Sequence, residues 1–384
     1  MKENKIIFTV LFVVILFRIS AQDSFQDVQI NPNHPKAKKV LPVLEALTNN
    51  GVPGASLAIF DKDGWWMAST GYSSLENKDK MTDKHLHYLQ SVAKTYMAVG
   101  VLKLYEEGKL KLEDPISKHL EPSISAMVDR ADEITIKMLL NHTSGVPEYN
   151  FDPEYASKLL QHPEIPFTAK DYIKFIKGKK LTFEPGSQYS YRNTNFVLLS
   201  MIVDQITGDH GAYLEKVIFK PLGLRHTYYQ INDEKLRNEK LADSYWDRYS
   251  DGFLENVTYI QRQNVTYMVG DDGIVTTTVE AVQFLRGLLE GKLLQGATLD
   301  LMKTWVKGPD GKPRYGLGLG LTEIAGHAAI GHSGGGIGAG CELRYFPEKD
   351  LYMFVGINIG TVTESPLHIS LAQKREELFQ ALLD

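Results

Sequence analysis

Among its 384 residues the sequence has one cysteine, Cys341, so no disulfide can form within the chain. Stability must come from burial instead, which a chain of this length can supply. The sequence also lacks a basic surplus: 42 Lys and Arg stand against 47 Asp and Glu, for a net charge of -5. That balance gives no basic face for nucleic acid. Beyond the N-terminus no stretch reaches the roughly 18 apolar residues that a membrane-spanning helix needs. Internal repeats and low-complexity tracts are absent too. What is present is ordinary globular composition, 43% hydrophobic and 23% charged, enough for one large core or two linked ones.

The first residues differ from the rest. Lys2 and Lys5 precede the apolar run Ile6 to Phe17, and the small residues Ser20 and Ala21 follow. This is the charged, apolar, small-residue order of a secretory signal. The expectation is a signal peptide over 1–21, cleaved near Ala21, and a secreted or periplasmic mature chain over 22–384. Arg18 shortens the apolar run, and no cysteine lies near the cleavage point, so neither a stable membrane anchor nor a lipid anchor is expected.

Apolar spacing predicts a helix from Val40 to Asn49, then two extended runs, Ala55 to Phe60 and Trp65 to Thr70, joined by Asp61-Lys62-Asp63-Gly64. A long helix begins near Ser91 and ends at Gly108. From Pro115 to about Gly223 the pattern is mostly helical, and another helix covers Val279 to Leu289. Strands return at Tyr315 to Leu321, Ala339 to Phe346 and Leu351 to Asn358, and a helix from Pro366 to Leu383 closes the chain. Strands at both ends with helices between predict an α+β fold. One antiparallel sheet, from about 36–90 and 270–384, is flanked by the N- and C-terminal helices, and a helical part, about 91–269, is inserted. A ligand cleft belongs between the two parts.

Three segments carry chemistry. In Ser91-Val92-Ala93-Lys94 the serine heads a helix, where backbone N–H groups favour developing negative charge. Lys94 lies one turn on along the same face, so its amine reaches the hydroxyl, and desolvation is expected to lower its proton affinity and make it a base or relay. In Tyr191-Arg192-Asn193 the alternate residues point the same way in an extended stretch. A tyrosine beside a cation becomes a base, and the Asn193 amide offers a donor and an acceptor to a substrate amide. In Gly331-His332-Ser333-Gly334-Gly335-Gly336 the glycines admit a second backbone, and the Gly335 N–H can pair with that of Ser91 around an oxyanion. His332 either supplies positive charge for a substrate carboxylate or holds the loop.

These segments, in this order and roughly this spacing, resemble the serine β-lactamase and penicillin-binding-protein superfamily. The branch they are most similar to holds class C β-lactamases, D-Ala-D-Ala carboxypeptidases and related esterases. Ser91 to Lys94 looks like its Ser-x-x-Lys, Tyr191 to Asn193 its Tyr-x-Asn, and His332 to Gly334 its third box. The linking segments Leu139 to Gly145, Phe219 to Leu224 and Gly273 to Thr277 match as well, so the likeness runs from about 36 to 384. It implies a β-lactamase/transpeptidase-like fold. It also implies acyl transfer, with Ser91, Lys94 and Tyr191 catalytic and Asn193, His332, Ser333, Gly334 and Gly335 binding substrate, without metal or cofactor. The substrates it implies are small molecules or peptides with an amide or ester bond, peptidoglycan-derived or β-lactam. A D-amino-acid or cell-wall-peptide peptidase or carboxypeptidase ranks first, then an esterase or β-lactamase, then a non-hydrolytic sensor of wall peptides or penicillin. Two residues depart from the pattern: Arg192 replaces a small residue, and His332 stands where β-lactamases of this branch carry lysine. A histidine there is expected to hold a carboxylate less well as pH rises.

Other residues carry weaker signals. His85 and His87 lack a third ligand at metal spacing and read as a surface turn. His142 reads as a loop-fixing residue, Asp271-Asp272 as a turn or cap, and Cys341 as a small core residue.

Overall fold

The structure, a computed structural model, describes residues 28–384; the expected signal segment 1–21 lies outside them. The chain enters through helix α1 (Ala37–Asn49), which is apolar along one side at Val40, Leu44 and Leu47. Strands β1 (Gly54–Asp61) and β2 (Gly64–Ser74) then form a hairpin in which Asp61 pairs with Gly64. Only Lys62 and Asp63 lie between, and Gly64 takes a φ of 96°.

The main sheet has nine strands. To β1, β2 and β3 (Asp79–Lys80) it adds β4 (Val306–Lys307), β5 (Pro313–Tyr315), β6 (Gly320–Ile324), β7 (His327–Gly335), β8 (Gly340–Phe346) and β9 (Leu351–Ile357). Their order is β4-β5-β6-β7-β8-β9-β1-β2-β3, and every pairing is antiparallel. The first strand therefore lies beside the last, with Ala55 opposite Ile357. This is the antiparallel α+β sheet built from both chain ends.

Side chains alternate between its faces. Leu57, Ile59, Met353 and Val355 meet α1 and the closing helix α5 (Pro366–Leu383), where Phe379 and Leu382 complete an apolar layer. Ala58, Leu343 and Phe354 face the opposite way and join a larger core with α2 (Ala93–Glu106), α3 (Asn193–Thr207) and α4 (Thr278–Leu289).

Four expectations need correction. Tyr315 to Leu321 is no single strand: it closes β5, turns at Gly318 with a φ of 76°, and opens β6. His332 to Gly335 belong to a strand, β7, that ladder bonds to β6 and β8 create without any apolar alternation. The inserted part is mostly helical to Leu222; beyond it short strands accompany one further helix, Thr258–Tyr267, and two of the strands, Tyr228–Tyr229 and Lys240–Leu241, join His85–Tyr88 and Ile274–Thr276 in a small second sheet. That sheet also corrects the surface-turn reading of His85 and His87, which are buried strand residues; desolvation lowers the proton affinity of both. No helix among the described residues is long and apolar enough to cross a membrane.

Candidate active site

Ser91 occupies a 3-10 turn, Gln90–Val92, that leads into α2. The early N–H groups of such a turn have no acceptor inside the helix and stay available to an anion. Gln90, just before the serine, is buried at a φ of 49°, a left-handed conformation that an L side chain adopts only under constraint. The constraint is β7. A Cβ on Gly334 would lie 2.3 Å from the Leu89 carbonyl oxygen, so only glycine lets the strand close over this turn. Gly335, paired with Gly340, ends the strand beside it.

The α2 face carries Lys94 into the core at 0% exposure. Its Nζ donates to Ser91 Oγ at 3.0 Å and to the Asp271 carbonyl at 2.8 Å. Tyr191 lies alongside, with Nζ 5.2 Å from its ring centre. Burial weakens the ammonium, but Tyr191, Asp271 and Asp272 outweigh it and raise the lysine's proton affinity. The expected loss of proton affinity is thus overturned: the lysine is desolvated, yet beside Tyr191 first and the two aspartates next. Tyr191 is raised as well, by burial, with the Lys94 charge and the Ser91 hydroxyl pulling the other way.

The segment holding Tyr191 is anchored from below. Arg192 is extended, at φ -143° and ψ 126°, and α3 begins at Asn193, so Tyr191 and Asn193 share a side as the alternation requires. The Arg192 N–H donates to His142 Nδ1 at 3.2 Å, and the Ser190 N–H donates to the His142 carbonyl at 2.9 Å. The His142 ring packs 4.3 Å from that of Tyr191, centre to centre. Burial keeps this histidine neutral, and its contacts match the loop-fixing role expected of it. Glu148, which sequence reasoning missed, accepts from the N–H groups of Asn193 and Tyr149. A carboxylate at the start of α3 suits the positive helix end. Its signal was its place three residues after the Leu139 to Gly145 box. Arg192 itself turns aside, donating to the Tyr191 carbonyl with its guanidinium over Phe151.

His332 does not present a charge. Its Nδ1 lies 2.6 Å from the Ser333 carbonyl, which can only accept, so Nδ1 carries the proton. Nε2 then accepts from the Tyr315 hydroxyl at 2.9 Å. Burial, reinforced by the Lys94 charge, pushes its pKa down to about 3. Of the two roles open to it, holding the strand is the one its contacts fit, and carboxylate capture that fades with rising pH is not available to a ring already neutral. Tyr315 was also missed, because nothing local marks it. Ser333, on the same strand, is exposed. Cys341 is buried and donates to the Leu89 carbonyl, and burial raises its thiol.

Asp271 and Asp272 are the largest departure from expectation. They do lie in a turn, with the Asp271 N–H donating to the Val269 carbonyl at 2.9 Å, but the turn is enclosed behind Lys94, the two residues being 2% and 4% exposed. The loop that carries them cannot turn outward: Gly270 and Gly273 flank it at φ 78° and 102°, and a Cβ on Gly270 would meet the Phe196 carbonyl oxygen at 2.1 Å.

A serine bonded to a buried lysine, with a tyrosine against both and a glycine strand over the serine, defines a class: a serine hydrolase on the β-lactamase and penicillin-binding-protein plan. Residues 42–370 match the family described as Beta-lactamase, and the chain belongs to that family. It is 26% identical to penicillin-binding protein 4* of Bacillus subtilis over 79% of this chain and 67% of that protein. It is 27% identical to Protein flp of Staphylococcus aureus over 51% of this chain, and the match spans only 38% of that relative's length. Among solved structures, a D-stereospecific amidohydrolase from a Streptomyces species is similar at TM-score 0.76 and 26% identity, covering 91% of this chain and 98% of that one. The D-amino acid amidase of Ochrobactrum anthropi has the same fold at TM-score 0.76 and 23% identity, over 91% of this chain and 98% of that one.

Proposed function

We propose that the chain is an exported amide hydrolase that works through an acyl-enzyme on Ser91, with D-amino-acid amides or short wall-type peptides as substrates. The 3.0 Å bond from the Lys94 ammonium to Ser91 Oγ carries the reading. With the lysine donating, the serine's own proton is free to leave toward Tyr191.

In the reaction, the Tyr191 phenolate, stabilised by Lys94, takes the Ser91 proton as Oγ bonds to the substrate carbonyl carbon. The oxyanion is received by the N–H groups of Ser91 and Gly335. Tyr191 returns the proton to the leaving nitrogen as the C–N bond breaks. Water repeats the sequence: its proton goes to Tyr191, its oxygen bonds the acyl carbon, and the proton returns to Ser91 as that ester breaks. Because Tyr191 is a phenol at rest, turnover rises with pH as its phenolate forms.

The D-amino-acid preference is supported by the likeness to the D-stereospecific amidohydrolase. A neutral His332 weakens the case for a carboxypeptidase and favours substrates without a free carboxylate beside the scissile bond. Export is supported by the order of residues in segment 1–21.

The test is hydrolysis of D- and L-phenylalanine amide, with intact-protein mass spectrometry of trapped adducts, on wild type and Ser91→Ala. A Ser91-dependent adduct with D-amide turnover supports the reading. Turnover retained in Ser91→Ala sinks the mechanism, an adduct without product makes the chain a sensor, and ester turnover alone makes it an esterase.

A further inference from the structure

Two carboxylates buried at the back of an active site are costly, and here the fold has few groups to compensate them. Asp271 Oδ2 accepts from the Tyr149 hydroxyl at 2.9 Å, while Oδ1 is buried with no partner. Asp272 Oδ1 accepts from the neighbouring Gly273 N–H at 2.7 Å. The loop is nonetheless fixed in place: the Gly270 N–H donates to the Tyr229 hydroxyl at 2.8 Å, and the Asp271 carbonyl itself receives Lys94. Packing alone has no need of two acids here, which leaves their electrostatic effect on Lys94 as the reason for them.

We propose that Asp271 and Asp272 are positioning residues that act as a two-carboxylate counter-charge holding Lys94 as an ammonium in the resting enzyme, with Asp271 also helping burial to keep Tyr191 a phenol. The inference rests on the roles proposed above for Ser91, Lys94 and Tyr191.

The groups facing the pair come from every element around it. Lys94, on α2, is the cation that acts on both aspartates. Glu148 adds further negative charge to Asp271, from the segment below Tyr191. The remaining neighbours are protonated acids: the tyrosines Tyr88, Tyr149, Tyr155, Tyr172, Tyr191 and Tyr229, and Cys341 on β8. His142 and His332, which also face Lys94, are neutral. Burial lifts the two aspartates to about 6 and about 7, so both are ionised in mildly alkaline solution. There they raise Lys94, and Asp271 also raises Tyr191. Removing either negative charge therefore lowers the titration of the lysine, and removing Asp271 lowers that of the tyrosine too.

The experiment follows Lys94 directly, by 13C NMR of lysine Cε in wild type, Asp271→Asn and Asp272→Asn. The Lys94 signal is identified by its loss in Lys94→Arg. In parallel, the pH profile of p-nitrophenyl acetate hydrolysis is recorded for the same proteins. The expected result is a downward shift of the Lys94 midpoint by about one pH unit or more in each Asn variant. In Asp271→Asn the rising limb of the rate profile should move down with it, a change that loss of packing would not produce. An unmoved Lys94 midpoint in the folded variants overturns the proposal, whether or not the protein turns over ester. Absence of Ser91-dependent turnover counts against the function proposed above, and the lysine titration still decides this one. If neither variant folds, the wild-type aspartate 13Cγ signals decide. Two carboxyls titrating near the elevated values support the proposal, and midpoints all near the ordinary value of about 4 overturn it.

Discussion

The two faces of the main sheet are built on opposite terms. Toward α1 and α5 it meets Leu44, Phe379 and Leu382, an apolar layer in which the buried Arg344 is paired with Glu342. Toward α2 it meets a core that encloses Lys94, Asp271, Asp272, Glu148, His142 and His332. The first face gains from every buried methylene. The second holds groups whose charged forms burial disfavours, and it keeps them only because they act on one another. Stability and reactivity are thus separated across a single sheet, and the separation can be tested by changing one side at a time.

The largest effect is expected from Lys94→Met. Removing the ammonium should lower turnover by about a thousandfold. The melting temperature should stay level or rise, since the two aspartates can then be protonated and an apolar chain fills the space. A steep loss of stability would break the comparison. Phe379→Ala is its mirror image: a loss of about 3–5 kcal/mol in denaturant unfolding, with turnover per folded molecule unchanged. Glu148→Gln probes the second face without removing its cation. It keeps the shape but weakens the hold on Asn193 and Tyr149, and kcat should fall by about tenfold with little change in melting, the scale of one charge-assisted hydrogen bond.

Smaller is the pH dependence of stability from Asp272. Its folded pKa, about 7, lies above the unfolded value near 3.9. The folded state therefore binds the extra proton between those values, and this contribution to stability is lost as pH rises through about 7. The melting temperature of Asp272→Asn relative to wild type should rise from pH 5 to pH 8, and a constant difference would show that the carboxylate is not buried. The smallest effect concerns His332. Because the ring is already neutral, the ratio of rates for substrates with and without a terminal carboxylate should change less than about twofold across pH 5.5 to 8. A strong fall with pH would restore the charged histidine.

The same division governs what the sequence reveals. The layer under α1 and α5 is legible because it is written in local periods, two residues in β1 and β9 and three to four in the helices. Ser91, Lys94, Tyr191 and Asn193 are legible because they resemble a known family's motifs in order and spacing, and helix and strand periods then set their relative directions. The strand over them is not. His327–Gly335 carries glycines where alternation is sought, and its ladder partners lie elsewhere in the chain. Nor is the state of Lys94, since the groups that reverse the effect of its burial are Tyr191 and the acids of a loop whose own carbonyl, 177 positions away, accepts a hydrogen bond from it. A pair of adjacent acids reads as an ordinary turn wherever its enclosure is made by distant segments.

The pairing of Ala55 with Ile357, and of Gly334 over Leu89, has a consequence in time. A ribosome delivers β1 and Ser91 well before their neighbours, which lie more than 200 residues further along the chain. Contacts so distant along the chain are slow to form, because loop closure must precede any gain from them. A growing chain therefore carries a nucleophile without the strand that shapes it, and it gains its chemistry only once that strand has been made.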